Sequence, residues 1–189
     1  GLDETNLRLS WSFLDHLPLA FRQKTYRIQV ATSYSGLMRS DADAWDSGMV
    51  SSGDHTAIPY HGAALQSRQR YYWKVTIEDE AGTQYDSVVA WWEMGQLDSR
   101  CWQGKWIANP DVSKETKGAS RFRRHFNIEH KVARARVYIS GLGHYELLLN
   151  GKKIGDHELD PGWTNYDRTV LYTTYDITSQ LKSDENMVQ

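Results

Sequence analysis

One loop of the chain, residues 160–168, carries the residue types that could bind a small molecule. Trp163 and Tyr166 can each present a flat ring that joins an apolar body to a polar atom. A ring of this kind can pack against the C–H groups of a sugar, while the side chains of Asp160 and Asn165 can hydrogen-bond its hydroxyls. The loop therefore permits a sugar-binding site formed by Asp160, Trp163, Asn165 and Tyr166.

The same loop also has a purely structural interpretation. Trp163 and Tyr166 could fill one end of a β-sandwich, and Asp160 and Asp167 could cap turns, since Asp side chains readily bond to nearby backbone N–H groups. Large aromatic side chains mostly lie in protein interiors, so the sequence favours this second interpretation. The two differ in what Trp163→Ala should do: it should unfold a module that buries the ring, and it should only weaken sugar binding if the ring is a platform.

Other catalytic and metal-binding patterns are weak. There are 24 acidic residues, but their spacing singles out no pair that could flank a glycosidic bond, and nucleophile-elbow, zinc-protease and phosphate-loop patterns are absent. His144 and Glu146 share a strand face, yet a metal site needs three or four convergent ligands. Asp156, Asp160 and Asn165 offer oxygens for calcium without the spacing of an EF-hand loop. We therefore expect no catalytic residue and no metal ligand.

The amino-acid composition of the chain argues against two classes of binding partner, nucleic acids and membranes. The 22 basic and 24 acidic residues are mixed along the chain and give a net charge of -2, so no basic stripe indicates nucleic-acid binding. No apolar run approaches the roughly 20 residues of a membrane helix, so we expect no membrane partner. Cys101 is the single cysteine of the sequence, which excludes an intramolecular disulfide. The sequence leaves the cellular compartment open.

Period-two alternation in the first half predicts the elements of a β-sandwich. Apolar residues alternate with polar ones over 7–11, 26–30, 71–77 and 90–94, as in half-buried antiparallel strands. Glycine-containing turns separate these runs. About 95 residues of this pattern are typical of an immunoglobulin or fibronectin III domain. We place this domain at residues 1–96 and a packed, aromatic linker at 96–103.

The sequence of the second half, residues 97–189, also predicts β-strands and turns. Phe122 and Phe126 are predicted to lie on one strand and to face the core of the domain. Arg124 lies on the same face, so its charge would need a hydrogen-bonding or charged partner. Further strands are predicted at 133–139, 145–149 and 170–175, then a helical turn after Asp176 and a last strand from residue 184. Asn150-Gly151 predicts a tight hairpin, because both residues tolerate positive φ.

Two segments resemble modules of a known enzyme family. The first half, with Asp46-Ser47-Gly48 after Trp45 and the run YYWKVTIEDEAG, resembles the fibronectin III-like domains that precede many bacterial glycosidases, and WQGKWIANP is similar to the beginning of the second module in rhamnosidases. Residues 138–178 resemble the N-terminal domain of bacterial α-L-rhamnosidases, glycoside hydrolase family 78. The matching positions are Gly141, Gly143, Tyr145, Asn150, Gly151, Gly155, Asp156, Leu159, Pro161, Gly162, Trp163, Tyr166, Tyr172, Tyr175, Asp176 and Thr178.

The resemblance implies an all-β fold of two tandem β-sandwiches, the second jelly-roll-like and expected to be incomplete at its C-terminus. Enzymes of this family cleave terminal α-L-rhamnose with inversion, using carboxylates of an (α/α)6 barrel that no part of this chain matches. The resemblance thus implies a non-catalytic N-terminal fragment that scaffolds the barrel and shapes substrate access. Its expected partners are the remainder of the enzyme and a rhamnose-containing carbohydrate.

Two alternatives to the scaffold stay open, a stand-alone carbohydrate-binding module and a structural fibronectin-like protein. In some relatives a β-sandwich of this region binds rhamnose with calcium. The ligands of that calcium cannot be matched in this sequence, so we expect no cofactor.

Overall fold

The computed structural model describes residues 1–13, 21–111 and 118–189. Its elements are almost all antiparallel β-strands, which confirms the all-β fold class. The chain divides into two compact units, Gly1–Gly104 (unit 1) and Lys105–Gln189 (unit 2), each with its own hydrophobic core. The described part of the chain has no helix that is long and apolar enough to cross a membrane.

Unit 1 contains eight named strands and one short helix among its described residues. The elements are β1 (Arg8–Leu9), β2 (Gln23–Ala31), α1 (Tyr34–Met38), β3 (Trp45–Asp46), β4 (Val50–Ser51), β5 (Ile58–Pro59), β6 (Arg70–Asp79), β7 (Gln84–Asp86) and β8 (Ala90–Glu93). Strands β3, β2, β6 and β7 lie side by side in one sheet, in which β4 also pairs with β2 and β8 with β6. Strands β1 and β5 form a second, two-stranded sheet.

The core of unit 1 follows the alternation predicted from the sequence. Strands β2 and β6 pair in a register that sets Ile28 opposite Val75 and Val30 opposite Trp73. Ile28 and Val30 are fully buried, as is Met94 just after β8. Because side chains alternate between the faces of a strand, the polar residues between them are directed to the other face of the sheet. The predicted inward-facing residues of these strands are therefore confirmed.

The segment predicted as a linker is hydrogen-bonded to unit 1. The Leu97 N–H donates to Ser67 Oγ at 3.0 Å, and Arg68 Nε donates to Gln96 Oε1 at 3.1 Å. Arg68 also donates to the carbonyl oxygen of Cys101, the last residue of a 3₁₀ turn, Ser99–Cys101. Residues 96–101 thus belong to the packed body of unit 1.

Unit 2 contains two further sheets. Its strands are β9 (Arg124–Asn127), β10 (Arg136–Ser140), β11 (Leu148–Leu149), β12 (Lys152–Lys153), β13 (Tyr172–Asp176) and β14 (Glu185–Val188). One sheet has the order β12-β11-β14-β9, and β10 pairs with β13 in the other. A 3₁₀ turn, Thr178–Gln180, follows β13 as predicted. The buried core consists of Leu147, Leu149, Ile154, Tyr175 and Ile177.

One sequence prediction for unit 2 was wrong. Strand β9 begins at Arg124, so Phe122 precedes it and is 42% exposed instead of facing the core. Phe126 does pack against the core cluster. Arg124 is exposed to solvent, which removes the need for a buried partner.

The predicted Asn150-Gly151 hairpin is confirmed. Both residues have positive φ, 54° and 79°, and Leu149 pairs with Lys152 across the turn. Positive φ at both central residues matches the right-handed twist of the strands that the turn joins. A residue with a side chain is strained at the Gly151 conformation, although a Cβ there would meet nothing within 4 Å.

We expect Gly151→Ala to lower the free energy of unfolding of unit 2 by about 1–2 kcal/mol, the cost of a left-handed conformation for a residue with a Cβ. A denaturant titration followed by circular dichroism measures this change. Gly162→Ala is the control in the same unit, because Gly162 lacks a positive φ and a Cβ there would lie 3.4 Å from Leu171 Cδ1, an ordinary van der Waals contact. Equal midpoints for the two variants would show that the turn conformation is not under strain.

Candidate functional site

Asp160, the first residue of the candidate loop, anchors it to the core of unit 2. Its carbonyl oxygen accepts the N–H of Tyr145 at 2.9 Å, in an isolated antiparallel bridge. Its carboxylate accepts the Tyr175 hydroxyl and lies 3.0 Å from His157 Nδ1, and the side chain is only 18% exposed. The Asp160 carboxylate is therefore held by protein donors and fixes the beginning of the loop.

The Tyr175 hydroxyl keeps this anchor in its hydrogen-bonded form. Burial, reinforced by the hydrogen bond to Asp160, raises the pKa of Tyr175 far above its ordinary value. Burial also raises the pKa of Tyr145, whose ring packs against the same core. Both hydroxyls stay protonated at neutral pH, so Tyr175 remains a donor to the Asp160 carboxylate.

Asn165 shapes the turn in the middle of the loop. Its Oδ1 accepts the Asp167 N–H at 3.1 Å, and its carbonyl oxygen accepts the N–H groups of Arg168 and Thr169, each at 2.9 Å. An Asn side chain that bonds to the backbone two residues later mimics a backbone turn. The residue that caps this turn is thus Asn165 and not Asp167, which the sequence had suggested.

The two aromatic residues of the loop differ in their surroundings. Trp163 is 76% exposed, so the interpretation that its ring fills the end of the sandwich was wrong. The ring lies parallel to His144, with an angle of 6° and 5.7 Å between centroids. Tyr166 is half-buried, and its buried hydroxyl has no hydrogen-bond partner in the described ranges. Tyr166 therefore fits the structural interpretation and Trp163 does not.

Three exposed leucines lie on chain segments close to the Trp163 loop, and sequence reasoning missed them. Leu142 is 61% exposed and Leu159 is 68% exposed, on the two segments that the Tyr145–Asp160 pair brings together. Leu171 is 42% exposed, and its Cδ1 lies 3.4 Å from the position of a Cβ at Gly162. We call Leu142, His144, Leu159, Trp163 and Leu171 the Trp163 surface. A leucine between two glycines, as in Gly141-Leu142-Gly143, was the signal in the sequence, since such a segment forms an exposed turn.

Two of the three side chains that could have offered oxygens to calcium, those of Asp160 and Asn165, accept hydrogen bonds from protein donors. Asp160 accepts from Tyr175, and the Asn165 amide oxygen accepts the Asp167 N–H. Within residues 1–13, 21–111 and 118–189, no three His, Cys, Asp or Glu side chains form a group that could hold a metal ion. Asp160 and Asn165 therefore have fewer oxygens left for calcium, which takes six to eight oxygen ligands.

The four predicted residues do not all converge as a sugar site would require. Asp160 and Asn165 use their side-chain oxygens within the fold, and Tyr166 buries its hydroxyl. Trp163 alone among the four presents most of its ring to solvent. The arrangement offers one exposed aromatic ring that is stacked on His144.

Each of the two units matches a known family of domains. Residues 1–98 match the family described as Rha78A-like, N-terminal immunoglobulin domain, and residues 130–189 match the α-L-rhamnosidase N-terminal domain. An α-L-rhamnosidase of Formosa agariphila is 38% identical over 87% of this chain and 20% of its own length. A second, from Alteromonas sp., is 32% identical over 98% of this chain and 21% of its own length.

Solved structures give the same result. The α-L-rhamnosidase of Dictyoglumus thermophilum superposes with a TM-score of 0.88 at 35% identity, over 100% of this chain and 23% of that enzyme. The chain therefore spans about a fifth of the length of the curated relatives it matches. With an Rha78A-like immunoglobulin domain followed by an α-L-rhamnosidase N-terminal domain, the chain belongs to the N-terminal region of the α-L-rhamnosidase family.

Proposed function

We propose that this chain is the non-catalytic N-terminal part of an α-L-rhamnosidase, and that it scaffolds the catalytic domain of that enzyme. The observation that carries the proposal is the Trp163 surface. Trp163 and three leucines on neighbouring segments are each at least 42% exposed, and exposed apolar side chains that cluster on a soluble protein often mark a contact site. We infer that the Trp163 surface packs against the (α/α)6 catalytic domain that the family resemblance implies, and so helps to shape access to the substrate.

An activity assay tests the non-catalytic part of this proposal. Cleavage with inversion needs two carboxyl groups about 6.5–9.5 Å apart on either side of the glycosidic bond. The carboxylate nearest to Trp163 in the chain, Asp160, is held by Tyr175 and His157. The chain alone should leave an aryl α-L-rhamnoside intact, while an enzyme that joins it to an (α/α)6 domain should hydrolyse it. Hydrolysis by the chain alone would overturn the proposal.

The second candidate function is sugar binding by the Trp163 loop. It is favoured by one observation, the parallel contact of Trp163 with His144, which supports one face of the ring and leaves 76% of the residue exposed. A supported, exposed ring can bind the C–H face of a rhamnose unit at little entropic cost. In this case Asn165 would contribute only its amide N–H₂ group, because its oxygen is held by the turn.

Trp163→Ala separates the two candidates. Because the ring is mostly exposed, we expect the variant to fold, with a free energy of unfolding within about 0.5–1 kcal/mol of the parent chain. If the surface is a docking site, the variant should lower the melting temperature of a full-length enzyme and leave that of this chain unchanged. If the surface binds sugar, L-rhamnose should quench Trp fluorescence less in the variant than in the parent chain.

Trp106→Ala is the control for both measurements, since Trp106 lies in the same unit and is 66% exposed. The scaffold proposal fails if Trp163→Ala leaves the melting temperature of the full-length enzyme unchanged. Loss of folding in the isolated variant would instead show that the ring belongs to the core of unit 2.

A further inference from the structure

A cleft of about 470 Å³ opens in unit 1, within the range of about 300–1,000 Å³ that is usual for small-molecule sites. Tyr26, Val50 and Ile58 contribute its apolar lining, and Tyr26 and Ile58 are buried. Trp45, Asp54 and His61 add an aromatic ring, a carboxylate and an imidazole. The cleft thus combines an apolar lining with a few polar groups, as ligand sites do.

The cleft lies beside the gap between two short strands, β3 and β4, that pair with the same edge of β2. Strands β3 and β4 both pair with β2, and residues 47–49 separate them. Ser47 Oγ accepts the Ile28 N–H at 2.8 Å, and the Ser47 N–H donates to the Ile28 carbonyl oxygen at 3.0 Å. Gly48 turns the chain with a φ of 61°. Because Ser47 satisfies both backbone groups of Ile28, the interruption is a fixed part of the fold.

The two carboxylates of the cleft, Asp46 and Asp54, differ in whether other side chains already donate hydrogen bonds to them. Asp46 accepts two hydrogen bonds from the Arg27 guanidinium, at 2.9 and 2.5 Å, and these bonds lower the pKa of Asp46. Asp54 is exposed, and its carboxylate has no hydrogen bond or ion pair with the described residues. His61 contacts the Trp45 ring, with 6.3 Å between centroids, and its ring nitrogens likewise have no partner in the described ranges. Among the described residues, therefore, no polar contact occupies the Asp54 carboxylate or the His61 ring nitrogens, and both groups can bind a ligand.

The Trp45 ring is held in place by its neighbours. It makes edge contacts with Tyr60, at 5.3 Å between centroids, and with His61. Trp45 is itself half-buried. A ring fixed in this way loses little conformational freedom when a ligand packs against it.

We propose that this cleft binds a neutral pyranose sugar. The Trp45 ring and the apolar lining would contact the C–H face of the sugar, the Asp54 carboxylate would accept hydrogen bonds from two adjacent hydroxyls, and His61 would bond to a third. A small organic cation is the other ligand that suits a carboxylate beside an aromatic ring. The exposure of Asp54 disfavours it, because ion pairs in solvent contribute little affinity. The site is separate from the Trp163 surface and does not depend on its proposed role.

Titration of the whole chain with L-rhamnose and with D-glucose, followed by ¹H–¹⁵N NMR, tests the proposal. We expect at least one sugar to shift the indole N–H signal of Trp45, with a dissociation constant on the order of 1 mM. Asp54→Asn keeps the shape of the side chain and removes its charge, and should weaken binding about tenfold, as expected for a hydrogen bond to a charged group. His61→Ala should also weaken it.

Asp41→Asn is the matched control, because Asp41 is another exposed Asp of unit 1 and lies outside the cleft. Trp163→Ala should leave the Trp45 shift unchanged, which separates this site from sugar binding at the Trp163 loop. The proposal is overturned if neither sugar moves the Trp45 signal, if Asp54→Asn and Asp41→Asn bind equally well, or if tetramethylammonium moves the signal and both sugars do not.

Discussion

Asn186→Leu is expected to lower the free energy of unfolding of unit 2 by about 3 kcal/mol, because it removes four partly buried hydrogen bonds at once. Asn186 is 1% exposed. Its Oδ1 accepts the Lys182 N–H at 2.9 Å and the Asn150 amide N–H at 3.0 Å. Its amide nitrogen donates to the carbonyl oxygens of Lys182, at 2.9 Å, and Asp184, at 3.0 Å. Leucine has a similar size but can make none of these bonds.

The same bonds join the last strand to the Asn150-Gly151 hairpin. Asn150 Oδ1 accepts the Met187 N–H at 3.0 Å, and its amide bonds to Asn186. Strand β14 lies between β11 and β9, so a loss of order at Asn186 affects both neighbours. We therefore expect the variant to unfold at a lower denaturant concentration and to lose amide-exchange protection in β14 first.

Urea titration followed by circular dichroism measures the loss, with Asn127→Ala as the control. Asn127 lies in the neighbouring strand β9 and is exposed, so its replacement should stay within about 0.5 kcal/mol of the parent chain. Asn186→Asp gives a second comparison, since a carboxylate can accept both bonds but can donate neither. A cost below about 1 kcal/mol for Asn186→Leu would show that water satisfies the orphaned groups.

The elements of unit 1 could be predicted because local alternation and burial agree there. Ile28, Val30 and Val75 occupy alternate positions in long strands, and each is buried as the pattern required. The Asn150-Gly151 turn was equally predictable, since two adjacent residues with positive φ favour one kind of hairpin. In both cases the determining interactions lie within a few residues of each other in the sequence or repeat at a fixed period.

The environment of the candidate loop could not be predicted by the same reasoning. Whether Trp163 is core or surface depends on neighbours such as His144, whose position follows from strand pairing and not from local sequence. The Asn150–Asn186 bond spans 36 residues, and no periodic pattern marks such a pair. The cleft at Trp45 likewise lies where residues 47–49 separate strands β3 and β4, which both pair with β2. The turn residues in the sequence do not reveal a cleft at this point.

Glu93→Ala is expected to lower the free energy of unfolding of unit 1 by about 3 kcal/mol, the lower end of the cost of breaking a buried ion pair. Arg70 and Glu93 are opposite each other in β6 and β8, and their side chains are 19% and 8% exposed. Arg70 Nε and Nη2 lie 3.1 and 3.0 Å from Glu93 Oε2. Without Glu93 the guanidinium would stay largely buried with an uncompensated charge.

The Arg70 guanidinium also lies 3.9 Å from the ring centroid of Trp91, which is 56% exposed. The ion pair fixes the guanidinium over the ring, so its loss should alter the fluorescence of Trp91 as well as stability. The double variant Arg70→Met/Glu93→Leu replaces both charges with apolar groups of similar volume. It should be more stable than Glu93→Ala, because no buried charge is left without a partner.

Glu78→Ala is the control for this pair. Glu78 lies on the same strand β6 and faces Lys24 at 4.0 Å, with the Lys24 side chain 55% exposed, so its loss should cost no more than about 0.5 kcal/mol. Equal costs for Glu93→Ala and Glu78→Ala would show that solvent screens Arg70 as effectively as it screens Lys24. If the double variant is as unstable as Glu93→Ala, the loss comes from packing around Glu93, and the orphaned charge is not its cause.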